Sequence, residues 1–145
     1  MTSPDERIVK FIKKHHVLTL ATSQGVQSWC CNCFYAIDSS KMELYFLSDE
    51  STRHGSEMLK NEMVSGSIVL ESKIVGTLQG IQFMGTAYLP SGDALHSAKN
   101  SYLKRFPYAI ASNSPVWTVK IDFIKFTDNT LGFGKKLLWE REMNY

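Results

Sequence analysis

The chain has 145 residues, of which 43% are apolar and 21% charged, a balance that fits one globular domain over residues 1–145. A chain of this size can bury a core that needs no disulfide or metal to hold it together. The net charge of +2 comes without a basic stripe, and no run of 18 apolar residues occurs, so we expect neither nucleic-acid binding nor a membrane span.

The first third of the sequence predicts one helix followed by three strands. Ser3, Pro4 and Glu6 match a capping box with proline at the first helical position, so a helix is predicted to end near Lys14. The strands are predicted at Val17–Ser23, Val26–Ile37 and Met42–Leu47. The connections between them are tight turns, which make neighbouring strands antiparallel.

The rest of the sequence predicts two more helices and four more strands. The helices are predicted at Ser51–Asn61 and Ser91–Phe106, and the strands at Met63–Leu70, Thr77–Leu89, Val116–Phe126 and Lys136–Arg141. Gly80 and Gly85 lie inside a predicted strand, where glycine indicates a bulge, a corner or the close approach of a ligand. The sum is a mainly β fold, a small antiparallel barrel of six or seven strands with inserted helices.

Three cysteines, Cys30, Cys31 and Cys33, lie within four positions. This odd, crowded set is a poor disulfide framework and suits a reducing compartment, and the charged start of the chain lacks an apolar signal region, so we expect a cytoplasmic protein. A zinc site commonly uses two Cys-x-x-C pairs or added histidines, and no second pair exists. We therefore predict buried free thiols and no metal site. No Gly-x-Ser-x-Gly elbow or other nucleophile motif is present.

The segment Ser51, Thr52, Arg53, His54 precedes a predicted helix and combines two hydroxyls, a guanidinium and an imidazole. With the unpaired amides and positive dipole of a helix N-terminus, these groups suit a phosphomonoester, provided that the two preceding carboxylates point away. A plain helix cap, with Arg53 paired to Glu57 four residues on, explains the same residues.

A second candidate lies in the strand that contains Gly80 and Gly85. Its small residues would let a flat ring lie against the backbone, and Gln82 could hydrogen-bond the edge of a heterocycle. A barrel corner without a ligand is the alternative.

The order of these features resembles the pyridoxamine-phosphate-oxidase-like FMN-binding split barrels, and within them the YhbP-type branch of bacterial proteins. The resemblance covers nearly the whole chain. It rests on these segments in chain order: Val17–Ser23, Phe34-Tyr35, Leu44–Ser48, Thr52–His54, Leu59–Asn61, Val64–Gly66, Ile81–Gly85, Lys104–Pro107, Ile124–Asn129, Gly132–Gly134 and Trp139–Arg141.

The resemblance implies a homodimeric split barrel with FMN contacts from both subunits. In the family a Ser/Thr-Arg-Lys triplet binds the FMN phosphate. Thr52 and Arg53 match this triplet, and His54 stands where lysine is usual. The family's second barrel strand contacts the flavin through its backbone, and its equivalents here are Trp29, Cys30, Cys31 and Asn32.

The chain lacks the Arg-x-x-Leu-Leu-Lys pattern of true oxidases, and Trp139 and Arg141 only partly match their substrate-binding C-terminus. We therefore expect an FMN-dependent oxidoreductase or flavin reductase acting on a small molecule, and not pyridoxamine-phosphate oxidation. The alternatives are a haem-binding protein, with iron held by His15, His16 or His96, and a cofactor-free split-barrel binding protein.

Overall fold

An antiparallel sheet of eight strands forms the body of the molecule in the computed structural model, which describes residues 2–143. The strands are β1 (Val17–Gln24), β2 (Gln27–Phe34), β3 (Ala36–Asp38), β4 (Glu43–Leu47), β5 (Met63–Leu70), β6 (Gln79–Tyr88), β7 (Val116–Asp128) and β8 (Lys136–Glu140). They run across the sheet in the order β2-β1-β5-β6-β7-β4-β3, with β8 also paired to β7, and the sheet curls into a half-barrel. The predicted mainly β antiparallel fold is confirmed.

Three helices are inserted between the strands: α1 (Glu6–Lys14), α2 (Arg53–Lys60) and α3 (Gly92–Arg105). The prediction of Ser3 as the cap of α1 was wrong. Asp5 caps this helix, because its carboxylate accepts the Arg7 backbone N–H at 2.9 Å while also pairing with the Arg7 guanidinium. Among the described residues, no helix is long and apolar enough to cross a membrane.

The single predicted strand Val26–Ile37 was also wrong, because the chain breaks at Tyr35 into β2 and β3. Tyr35 is fully buried, its hydroxyl donates to the Ile12 carbonyl at 2.6 Å, and its own carbonyl accepts from Arg105 at 2.9 Å. These bonds hold the backbone at the point where it leaves β2, which pairs with β1 at one edge of the sheet, and enters β3, which pairs with β4 at the other edge.

The concave face of the sheet carries the main apolar core. Strand β7 pairs with β6, β4 and β8, and its Trp117, Val119 and Ile121 lie in this core. The alternation shifts by one residue after Ile121, so Ile124 is buried and Phe123 lies on the outer face. A second, smaller apolar cluster lies under α3 around Tyr102 and Phe106. Each large side chain buried in this way contributes about 1.5–3 kcal/mol to folding.

The structure distinguishes the two glycines that were predicted inside this strand, β6. The register of β6 against β7 shifts between Met84 and Gly85, so a bulge occurs here, but its extra residue, Asp122, belongs to β7 and Gly85 lies on the partner strand. A Cβ atom at Gly85 would lie 2.4 Å from the Lys120 carbonyl oxygen, whereas at Gly80 the nearest atom would be 3.6 Å away.

We expect Gly85→Ala to lower the free energy of unfolding by about 1–3 kcal/mol, because backbone must move to admit the methyl group. Gly80→Ala is the matched control on the same strand and should leave stability unchanged or slightly raised. Urea unfolding followed by tryptophan fluorescence measures both. Equal stability of the two variants would contradict the close approach of β6 and β7 at Gly85.

Candidate functional site

Strand β2 distributes the predicted cofactor residues over both faces of the sheet. Trp29 and Cys31 stand opposite the buried Thr22 and Leu20 of β1, so their side chains share the inner face. Alternation along the strand turns Cys30 to the outer face. Asn32 lies on that outer face too, where its Oδ1 accepts from Thr19 at 2.9 Å. The candidate residues therefore form two groups and not one.

On the inner face, the residues at the start of α2 form the plain helix cap that was the alternative to a phosphate site. The Thr52 hydroxyl accepts the Gly55 N–H at 3.1 Å and donates to the Asp49 carbonyl at 2.7 Å. The Ser51 hydroxyl donates to the Asp49 carboxylate at 2.8 Å. Both predicted phosphate-binding hydroxyls are thus engaged within their own loop, and the Asp49 carboxylate lies beside them.

Arg53 forms the predicted alternative pair with Glu57, at 3.2 Å between Nε and Oε1. Its guanidinium also lies over the Trp29 ring, 4.3 Å from the centroid. Glu57 is buried and accepts the Thr22 hydroxyl at 2.6 Å, and that bond, followed by the Arg53 contact, lowers the pKa of its carboxyl. The Arg53 side chain remains 47% exposed and so keeps a surface open to a ligand.

His54 turns inward from α2. Its Nε2 hydrogen-bonds the hydroxyl of Ser48, a buried residue, and lies 3.4 Å from the Thr52 hydroxyl. Burial lowers the pKa of the imidazole below its usual 6.5, although nearby Glu57 acts in the opposite direction. His54 is therefore mainly neutral at pH 7 and does not supply the positive charge of the lysine that it replaces.

The inward turn of His54 brings it to two of the cysteines. The Cys31 and Cys33 sulfurs are 3.8 Å apart, and these atoms and a ring nitrogen of His54 all lie within 4.8 Å of one another. A hydrogen bond between the two thiols lowers the pKa of Cys31 and raises that of Cys33. We call these three residues the thiol–imidazole cluster.

The cluster departs from the sequence-based view of the cysteines. Cys33 is buried as predicted and Cys31 is half-buried, but Cys30 is exposed, because consecutive strand residues face opposite sides of the sheet. The sequence did not pair His54 with the thiols. Nothing in residue spacing indicates this contact, since it depends on how α2 packs against β2.

On the outer face, the predicted residue Gln82 lies in a groove of about 390 Å³ that we call the outer groove. Its floor consists of small side chains contributed by three strands: Ala21, Cys30, Ser65 and Ser67. Met84 and Phe123 border it, and Lys125 stands directly across from Gln82. The sequence pointed to Gln82 and Cys30 but missed the serines, which come from β5.

The histidines considered for haem do not gather around a common point in residues 2–143, and none belongs to a cluster of possible metal ligands there. His15 stacks on Phe11 at 4.3 Å, and its Nε2 is buried without a hydrogen-bond partner. His16 and His96 are exposed.

The two C-terminal residues singled out by the resemblance are bonded to other parts of the same chain. The Trp139 indole donates to the Thr2 carbonyl at 2.8 Å, and Arg141 Nε donates to the Ile121 carbonyl at 2.8 Å. Both contacts tie β8 and the residues after it to the rest of the barrel.

Comparison with known proteins gives close relatives in sequence. A UPF0306 protein of Yersinia pseudotuberculosis (serotype O:1b, strain IP 31758) is 41% identical over 143 residues, which cover 97% of this chain and 97% of the relative. A UPF0306 protein of Yersinia pestis bv. Antiqua (strain Angola) matches with the same values. No protein-family model matches the chain.

Solved structures similar to this chain share its fold at low sequence identity. A heme-binding protein from Mycobacterium smegmatis superposes with a TM-score of 0.74 at 20% identity, over 90% of this chain but only 55% of that protein. An FAD-binding protein from Mesorhizobium loti gives 0.69 at 14% identity, covering 83% of this chain and 91% of that one. A putative pyridoxamine 5'-phosphate oxidase from Listeria innocua gives 0.66 at 17%, covering 83% and 95%. The expected split-barrel fold is confirmed.

We expect the lowered pKa of His54 to make the folded state lose stability as pH falls below about 6.5. In that range the unfolded chain binds a proton that the folded imidazole resists, so stability rises with pH. His54→Gln should make this pH dependence shallower. Urea unfolding between about pH 7.5 and 5.5 measures the slope, with His96→Gln as a control that retains His54. An unchanged slope in His54→Gln would contradict the neutral, half-buried imidazole.

Proposed function

The chain belongs to the UPF0306 family and has a split-barrel fold, and on that premise we propose that it binds FMN between two copies of itself and acts as an oxidoreductase or flavin reductase on a small molecule. The outer groove is the observation that carries this proposal. Structural neighbours named as heme-binding and FAD-binding are consistent with a large planar cofactor on this fold.

The shape and chemistry of the outer groove fit the flavin ring system. Its floor of Ala21, Cys30, Ser65 and Ser67 admits a flat ring close to the sheet, and Met84 and Phe123 offer apolar contact. The Gln82 amide can both donate to and accept from the polar edge of the ring. Lys125, across from Gln82, would supply a positive charge that can balance the negative charge of a reduced flavin.

Strand β2 adds backbone contacts. Within the described sheet it pairs only with β1, so its other side presents N–H and C=O groups to a ligand. This arrangement supports the resemblance-based assignment of Trp29, Cys30, Cys31 and Asn32 through their backbone. Their side chains, which point to opposite faces, cannot all contact one ring.

The phosphate is proposed to bind at the start of α2. The Arg53 guanidinium is half-exposed there, and the first-turn amides of a helix have no intrahelical acceptors. Thr52 and Ser51 then contribute by shaping the loop, and His54 by packing beneath it rather than by charge.

The phosphate site and the outer groove lie on opposite faces of the strands that join them. We therefore propose that one copy supplies the phosphate site and a second copy supplies the groove. Exposed apolar side chains on the groove's face of the sheet support this pairing: Phe34 is 52% and Met84 53% exposed.

Bound FMN would supply the electron-transfer chemistry. The chain's own residues would bind and orient the ring and shield it from water, so no side-chain acid or base is required. Pyridoxamine-phosphate oxidation is not part of this proposal, because the oxidase motif is absent from the sequence.

We expect FMN to bind the purified protein with quenching of flavin fluorescence, and Ser65→Leu to weaken binding by at least about 10-fold because the leucine fills the groove. Val69→Leu is the matched control, on the exposed side of the same strand but outside the groove. Equal affinity of the two variants would reject the groove.

A monomeric mass of the FMN-loaded protein by light scattering would reject the two-copy arrangement, and a Soret band with hemin in place of FMN binding would favour haem.

We expect Arg53→Ala to weaken FMN binding by about 10- to 100-fold, since a charge-assisted hydrogen bond contributes about 1.5–3 kcal/mol. His54→Ala should have a smaller effect, because its imidazole is neutral. Lys60→Ala removes the same charge from the other end of α2 and should leave affinity unchanged. Circular dichroism checks that each variant folds, and equal affinity of wild type and Arg53→Ala would remove the phosphate assignment.

A further inference from the structure

Beyond the proposed flavin site, we infer that Cys31, Cys33 and His54 form a binding site for Zn²⁺. Within residues 2–143 these three side chains form a group of possible metal ligands, and their three ligand atoms all lie within 4.8 Å of one another. Two thiolates and an imidazole are a donor set that Zn²⁺ prefers.

The distance between the sulfurs matches tetrahedral coordination. With Zn–S bonds of about 2.3 Å and tetrahedral angles, two thiolates on one ion lie about 3.8 Å apart. The Cys31 and Cys33 sulfurs are separated by 3.8 Å. The two sulfurs therefore already have the separation that one zinc ion requires.

The strand geometry favours a shared metal over a disulfide. Cα atoms two positions apart on a strand are separated by about 6.6 Å, at the long limit of the range that a disulfide spans. Closing a bond would also require the sulfurs to approach from 3.8 Å, against the pleat that holds β2 to β1. A zinc ion, in contrast, can bind the two sulfurs at the separation of 3.8 Å that they already have.

The imidazole ring is held in a defined position. The Ser48 hydroxyl bonds His54 Nε2, and the Ser48 carbonyl accepts the Trp117 indole N–H at 3.0 Å, which fixes Ser48 in the core. Such hydrogen bonds around a ligating histidine hold its ring in place.

Burial and charge are also consistent with a metal site. Cys33 is buried, while Cys31 and His54 are half-exposed, which leaves a route for the ion and a fourth position for water. Two thiolates balance the double charge of Zn²⁺, so the loaded cluster adds no net charge to the core. Loading releases the two thiol protons to solvent.

The test is a titration of the reduced, flavin-free full-length protein with Co²⁺ as a spectroscopic stand-in, followed by competition with Zn²⁺. We expect one ion per chain, thiolate-to-cobalt charge-transfer absorption, and its loss when Zn²⁺ displaces the probe. Cys31→Ser and His54→Gln, both at half-exposed positions, should weaken binding by at least about 100-fold. Cys30→Ser is the matched control, because this neighbouring cysteine is exposed on the opposite face.

Circular dichroism establishes that each variant is folded before its affinity is compared. Wild-type affinity in folded Cys31→Ser would overturn the assignment, as would loss of the absorption in Cys30→Ser. Uptake of Cu(I) but not of Zn²⁺ or Co²⁺ would also overturn it. So would air oxidation to a protein two hydrogens lighter together with no metal uptake by the reduced form. FMN affinity is measured separately, so this result does not depend on the proposed flavin site.

Discussion

The hydrogen bond from the Thr22 hydroxyl to the buried Glu57 carboxylate holds α2 against the inner face of the sheet. Because the second oxygen of Glu57 accepts from Arg53, the same carboxylate also directs the guanidinium over Trp29. A buried charge is stable only when its oxygens are bonded, so this arrangement admits little variation. The position of α2 in turn decides that His54 reaches the cysteines and that Arg53 remains at the surface.

Successive side chains of β2 point to opposite faces of the sheet, so the residues of the two proposed sites lie on different faces. Cys31 and Cys33 face inward toward His54, and Cys30 faces outward into the outer groove. A proposed metal site and a proposed flavin site thus lie on opposite sides of one edge strand. This proximity means that a change in the backbone of β2 would affect both, whereas most side-chain substitutions would affect only one.

This separation of the two sites is possible because β2 is an edge strand, which in the described sheet pairs with another strand on one side only. Strand β2 owes its register to β1, and the chain then crosses at Tyr35 to the opposite edge of the sheet. A continuous strand from Val26 to Ile37 would have kept the cysteines in a regular hairpin meander. The break at Tyr35 instead leaves one side of β2 open to a ligand or to a second copy of the chain.

The sequence by itself determined the mainly β architecture and most element boundaries to within about two residues, because apolar alternation and turn residues report local conformation. It also indicated a special backbone position at Gly85, where the Lys120 carbonyl of β7 comes close. Only the tertiary structure decided that β4 pairs with the distant β7, that the second predicted strand breaks, and that His54 meets Cys31 and Cys33. Periodicity shows which face of an element is buried but carries no information about which other element covers it. The partners of a side chain are settled by packing across the whole chain.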